Sequence, residues 1–176
     1  MRYYAGIGSR DTPHWVQLQM EKLAFVLART HGMCLRSGAA IGADQAFERG
    51  ARRYRLAECE IYLPWPGYEG HSSPRNEVDL SAMRVAMNLY PGNGWQTLGY
   101  KARLLHGRNV YQILGKDLET PVDMVVCWTP GGKSGGGTGG AIRVARSRGI
   151  PVHDWGKLTS PQIERFIEEW RYGRGS

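Results

Sequence analysis

Three times in this chain a short apolar run ends in a turn of small residues and passes at once into a helical pattern. No other feature restricts the possible fold as strongly. The clearest case is Met124-Val-Val-Cys127, which leads into a segment where seven of the ten residues from Gly131 to Gly140 are glycine. Glycines let backbone N–H groups approach an anion closely. A helix beginning near Thr138 aims its unpaired N–H groups and positive dipole end at the same place. Alone, such a run reads equally well as a flexible surface loop. The amino terminus repeats the arrangement in Tyr3-Tyr-Ala-Gly-Ile-Gly-Ser-Arg10, with Thr12 expected as N-cap and Pro13 at the first helical position. A third instance runs from Met33-Cys-Leu35 through Ser37-Gly-Ala-Ala-Ile-Gly-Ala-Asp44. Strand, glycine turn, helix is the unit by which α/β proteins bind nucleotides at the carboxyl ends of parallel strands.

The helical and extended patterns alternate along the whole chain. Strands are expected at Arg2–Ile7, Met33–Arg36, Glu58–Leu63, Met124–Trp128 and Pro151–Asp154. Helices are expected at about Pro13–Thr30, Gly42–Tyr54, Arg75–Leu89, Trp95–Gly115, Thr138–Arg148 and Ser160–Trp170. This alternation predicts an α/β fold: a parallel sheet of about five strands with helices on both faces. At 176 residues the chain is the size of one domain, read as residues 1–176 with a helical, aromatic-rich insertion at about 65–107. The insertion carries Trp65, Tyr68, His71, Arg75, Asn76, Tyr90, Trp95 and Tyr100. These side chains form a lid over the sheet edge, stack on a base, or simply hold the insertion to the core.

Composition narrows the partners. A net charge of +7 favours an anionic ligand, a nucleotide or single-stranded nucleic acid. Basic residues gather at Arg49, Arg52, Arg53 and Arg55 and at Arg143, Arg146 and Arg148, both near helix ends where they also complement the dipole. No apolar run is long enough to cross a membrane, and no charged-then-apolar leader precedes the first strand, so a cytoplasmic location is expected. Cys34, Cys59 and Cys127 lie in apolar stretches without C-x-x-C spacing and read as free thiols. The histidines are scattered; no metal site and no cofactor are expected.

Gly6-Ile-Gly-Ser-Arg10, Ser37-Gly-Ala-Ala-Ile-Gly-Ala-Asp44 with Gly50-Ala51, Arg108-Asn109 and Gly136-Gly-Thr138 occur in the order and rough spacing of the SLOG superfamily. That Rossmann-like group contains DNA-processing protein A and the LOG (Lonely Guy) cytokinin-activating enzymes. The likeness covers most of the chain outside Trp65 to Leu104. The first two motifs resemble those of DNA-processing protein A, whereas Pro130-Gly-Gly132 and Leu105-His-Gly-Arg-Asn109 are similar to the P-G-G-x-G-T and M-H-x-R-K patterns of LOG enzymes. The resemblance implies a Rossmann-like three-layer fold. It also implies that Arg108 matches an arginine that takes part in hydrolysis of the N-glycosidic bond of nucleoside monophosphates. The glutamates that follow G-T in the LOG pattern are replaced here by Gly140 and Ala141, so the carboxylate for that chemistry is missing. Asp44 or Glu77 would have to substitute.

The expected site therefore gathers Gly8, Ser9 and Arg10 at the end of the first strand, Ser37 and Gly38 at the end of the second, and Gly135, Gly136, Gly137 and Thr138 after the fourth. Arg10 or Arg108 adds a charge-assisted contact to phosphate. Asp44 either accepts from a ribose hydroxyl or serves as a first-turn acid of its helix, and Asn109 either reads a base edge or caps its helix locally. Lys133 resembles a P-loop lysine, but the spacing is wrong for a Walker-type site. The favoured function is binding of a nucleotide, a nucleotide-derived signal or single-stranded DNA; the alternative is a nucleotide N-glycosidase. A homodimer formed through helix faces is a further expectation.

Overall fold

The computed structural model describes residues 1–173. Five short strands form one parallel sheet: β1 (Tyr3–Gly6), β2 (Cys34–Ser37), β3 (Cys59–Ile61), β4 (Met124–Cys127) and β5 (Val152–Asp154), in the spatial order β3-β2-β1-β4-β5. Six α-helices cover it: α1 (His14–His31), α2 (Ala43–Arg52), α3 (Leu80–Asn88), α4 (Tyr100–Leu114), α5 (Gly136–Ser147) and α6 (Ser160–Arg171). The expected three-layer α/β architecture is thus the observed one.

Alternate strand residues feed two cores. Tyr4, Leu35, Met124 and Val126 face one side, where Met20, Leu23 and Leu27 of α1, Phe47 of α2 and Ile163 and Ile167 of α6 pack. Ala5, Val125 and Cys127 face the other, against Val110 and Ile113 of α4 and Ile142 and Ala145 of α5, with Ala82 and Ala86 of α3 behind them. Because both faces are covered, the central β1 and β4 carry no charged residue, whereas Arg36, Glu60 and Asp154 stand in β2, β3 and β5. Close helix approach depends on missing side chains: a Cβ at Gly50 of α2 would lie 2.3 Å from the Glu21 carbonyl oxygen of α1.

Winding runs outward from β1 through β2 to β3, then returns to the opposite side of β1 for β4 and β5. Connections leaving β1 and β4 diverge to opposite faces, and a crevice opens between them at the carboxyl ends of these strands. The long return from β3 to β4 contains α3 and α4. Residues 107–114 of α4 are buried, so this helix belongs to the layer covering the sheet, and residues 64–99 form the excursion. Tyr90, Trp95 and His106 pack edge-on and tilted against one another, with Arg143 over Tyr90 and Arg103 over Trp95. These aromatics fasten the excursion to α4 and α5.

Several element boundaries differ from the expected ones, each for a local reason. Pro13 keeps an extended ψ of 144° and is itself the N-cap of α1, while the Thr12 hydroxyl donates to the Ser9 carbonyl at 2.6 Å instead of capping the helix. Pairing of β3 stops at Ile61 because the Leu63 N–H donates to the returning chain at Arg75 (2.8 Å). Residues 75–79 lie outside any helix or strand, Asp79 is extended, and α3 begins only at Leu80. A 3-10 turn over Gly94–Thr97 and the extended Gly99 delay α4 until Tyr100. Helix α5 begins earlier than expected, at Gly136. Among the described residues no helix is long and apolar enough to cross a membrane.

Candidate functional site

The crevice at the switch point encloses about 560 Å³ and is walled by the turn after β1, the start of α2, the middle of α4 and the glycine loop before α5. The first turn is shaped by Ser9. Its N–H continues the β1–β4 ladder by donating to Trp128 (3.0 Å), its hydroxyl accepts the Asp11 N–H (3.1 Å), and its carbonyl accepts the Thr12 N–H (3.3 Å). Gly8 has no side chain to spare, since a Cβ there would meet the Ala43 methyl at 2.6 Å. The resulting close approach brings the α2 terminus against the turn, and the Gly8 N–H donates to the Asp44 carboxylate at 3.1 Å.

Asp44 is 3% exposed. Burial pushes its carboxyl up to about 6, opposed by the Arg108 charge and by the backbone N–H groups of Gly8, Ala40 and Gly38. Because the folded value lies above that of the unfolded chain, the native protein binds the extra proton between about pH 4 and pH 6. The contribution of this group to stability therefore falls as pH rises through that window, by about 3 kcal/mol in total. Chemical unfolding of the native sequence and of Asp44→Asn between pH 4 and 7 checks this: the native sequence loses stability relative to the variant as pH rises, and a constant difference refutes it.

Arg108, also buried, faces Asp44 across the floor. One guanidinium nitrogen donates to the carbonyls of Gly38 and Tyr62, Nε donates to Asn109 Oδ1 at 3.1 Å, and the Tyr68 ring lies 5.5 Å from the guanidinium carbon. Burial pushes the guanidinium down from its ordinary value, and Asp44 opposes this. Asn109 passes the restraint on: its Nδ2 donates to the Gly137 carbonyl at 2.8 Å, tying α4 to the glycine loop.

That loop hangs from Asp154 at the end of β5. The Asp154 carboxylate accepts the Thr129 N–H (3.0 Å), the Thr129 hydroxyl and the Gly156 N–H (2.9 Å), and the Thr129 hydroxyl in turn accepts the Ser134 N–H (3.2 Å). Beyond Ser134 the pairing ceases. The N–H groups of Gly135, Gly136, Gly137 and Thr138 have no hydrogen-bond partner among the described residues, and all four residues line the crevice. Arg10 and Lys133 line it as well. The Arg10 guanidinium donates to the Tyr68 hydroxyl and to Glu69 Oε1, each at 2.7 Å.

Of the residues expected from sequence, Gly8, Ser9, Arg10, Asp44, Arg108, Asn109, Gly135, Gly136, Gly137 and Thr138 line one crevice. Ser37 and Gly38 stand behind its wall. The Ser37 hydroxyl donates to the Gly6 carbonyl at 2.6 Å, and the Gly38 Cα faces Arg108 and Gln112 so closely that no side chain fits. Sequence reasoning missed Asp11, Gln112 and the anchoring role of Asp154, gave Lys133 no place here, and offered Tyr68 only as one of eight aromatic and polar residues of the insertion. The ending of an apolar strand in an acid was the available clue for Asp154; nothing local distinguished Gln112.

The arginines at the end of α2 lie elsewhere: Arg49 pairs with Glu21, Arg52 with Glu48, and Arg53, just past the helix, lies over the Phe25 ring. Cys34, Cys59 and Cys127 are free, and burial pushes the Cys34 thiol up to about 12 and that of Cys59 to about 11. Glu77 is exposed and away from the crevice. At Gly140 a Cβ would stand 2.7 Å from His106 Nδ1, so a glutamate there requires His106 to move.

No family model and no curated protein sequence matches the chain. Among solved structures, DNA processing protein A from Helicobacter pylori superposes with a TM-score of 0.59 at 17% identity, covering 98% of this chain and 81% of that one. That structure is described as revealing a single-stranded DNA binding mode. The molybdenum cofactor carrier protein from Chlamydomonas reinhardtii superposes with a TM-score of 0.52 at 17% identity, covering 98% and 87%. At this level of identity the likeness is one of fold: the chain shares with these two proteins a three-layer α/β fold built on a parallel sheet.

Proposed function

We propose that this protein binds a nucleotide, with the phosphate seated on the amino terminus of α5 and the sugar and base in the crevice. The observation that carries the reading is the run of four unpartnered N–H groups, Gly135 to Thr138, in a crevice that Arg10 and Lys133 also line. Such a terminus supplies several donors and a positive dipole end at one point, which suits a phosphate dianion. A volume near 560 Å³ fits one nucleotide. The ligand is then a free nucleotide, a nucleotide-derived signal, or one nucleotide of a single strand.

Hydrolysis of the N-glycosidic bond has weaker support. Asp11 and Asp44 are the carboxylates lining the crevice, and the Asp44 carboxylate is already engaged by backbone N–H groups. Arg108, expected from the resemblance to act on substrate, is occupied by two backbone carbonyls and Asn109. Binding without chemistry is the better account.

A thermal-shift panel of nucleoside mono-, di- and triphosphates, cyclic nucleotides and a short single-stranded DNA at fixed salt tests this. A ligand at about 100 times its Kd adds about 2.7 kcal/mol, roughly 5–10 °C for a chain of this size. The expected outcome is stabilisation by a small nucleotide. Stabilisation by DNA alone, falling steeply with added salt, selects the nucleic-acid form of the reading. No shift with any member of the panel rejects it.

A further inference from the structure

Arg10 is paired. Its guanidinium lies on Glu69 Oε1 at 2.7 Å, and the Glu69 side chain is only about one-fifth exposed although it belongs to the surface excursion. The backbone around it is unusual. Gly67, Glu69 and Gly70 have φ values of 74°, 51° and 71°, so three of four consecutive residues are left-handed, and for Glu69 this conformation is unfavourable. Between them Tyr68 turns inward, lines the crevice, accepts from Arg10 through its hydroxyl and covers the Arg108 guanidinium. The segment thus spends backbone freedom to put one aromatic ring and one carboxylate at the crevice mouth.

We propose that the Tyr68–Glu69 turn is an autoinhibitory latch, in which the Glu69 carboxylate occupies Arg10 in place of the anionic group of the ligand and must be displaced when that group binds. The inference rests on the nucleotide-binding reading above. A phosphate dianion carries about twice the charge of a carboxylate and is also met by the N–H groups of α5, so it outcompetes Glu69 for Arg10. Free Arg10 then reaches from the β1 turn toward the phosphate, and Tyr68, with its hydroxyl vacated, is placed to contact the base or sugar. Ligands without a dianionic group lack the charge to open the latch, so the turn selects for phosphorylated ligands.

Calorimetric titration with adenosine 5′-monophosphate at fixed ionic strength tests the latch on the intact chain. Glu69→Gln removes the competing charge and leaves the fold alone. It is expected to tighten binding about 3- to 10-fold, whereas Glu119→Gln, the same charge change at the exposed end of the α4–β4 connection, leaves affinity unchanged. In an Arg10→Ala background the gain from Glu69→Gln should vanish, because the two side chains act on each other. Binding by the native sequence with no gain in Glu69→Gln, or a gain that persists without Arg10, overturns the latch and leaves the nucleotide reading standing. Failure of both the native sequence and Glu69→Gln to bind overturns the latch as a gate on this site, and the wider thermal-shift panel then decides the nucleotide reading by itself. Binding by Glu69→Gln alone supports the latch in its strongest form.

Discussion

Arg108→Ala is expected to destabilise the protein by about 3–5 kcal/mol, a fall in Tm of roughly 6–20 °C, whatever its effect on ligand. The guanidinium is buried and holds three acceptors from three parts of the chain: the Gly38 carbonyl after β2, the Tyr62 carbonyl after β3 and the Asn109 side chain on α4. Alanine leaves these acceptors without a donor in a place water reaches poorly, opens a cavity beside Tyr68, and removes the charge that offsets the burial of Asp44. The Asp44 carboxyl should then rise above its value of about 6. Arg108→Lys keeps the charge but not the planar fork, and should fall between the two. Unfolding in denaturant with constant m separates the three proteins. A variant as stable as the native sequence would show that Arg108 is free to serve a ligand and that its contacts are incidental.

Gly137→Asp is expected to act in the opposite sense on the two observables. Nothing lies within 4 Å of a Cβ at this position, and its φ is not in the left-handed region, so the side chain is accommodated. A carboxylate in the first turn of α5 complements the dipole and adds a few tenths to about 1 kcal/mol of stability. The same carboxylate stands at the proposed phosphate seat and repels the dianion. Nucleotide affinity should fall at least about 100-fold, or about 2.7 kcal/mol. Equal or higher Tm together with lost binding distinguishes a blocked seat from a damaged fold. Undiminished affinity places the phosphate elsewhere. Gly137→Ala serves as the control, since it keeps the backbone N–H groups and adds no charge.

The reach of the sequence differs from element to element. The apolar runs of β1, β2 and β4 were legible because a buried parallel strand needs no alternation, and the small residues after each were legible because a backbone must come close to something there. Three such turns bring eight of the predicted residues to one crevice, and α4 adds Arg108 and Asn109. Ser37 and Gly38 shared the pattern but stand behind the wall, because small residues serve the packing of Arg108 as readily as the seating of a ligand. Local pattern does not separate those two uses. The start of α3 was not legible, since the returning chain at Arg75 takes the Leu63 N–H through a contact between residues twelve apart.

What the sequence determined by itself is the class of fold and the chemistry of its turns: periodicity sets strand and helix, and glycine sets where the backbone lies open. Tertiary structure decided the roles of the charged and polar side chains. It gave the buried Arg108 two backbone carbonyls and Asn109 as partners, made Asp154 the anchor of the glycine loop, and set Glu69 on Arg10. Each of these depends on which distant group meets a charge once water is excluded, and burial decides whether that charge holds the fold together or remains free for a ligand.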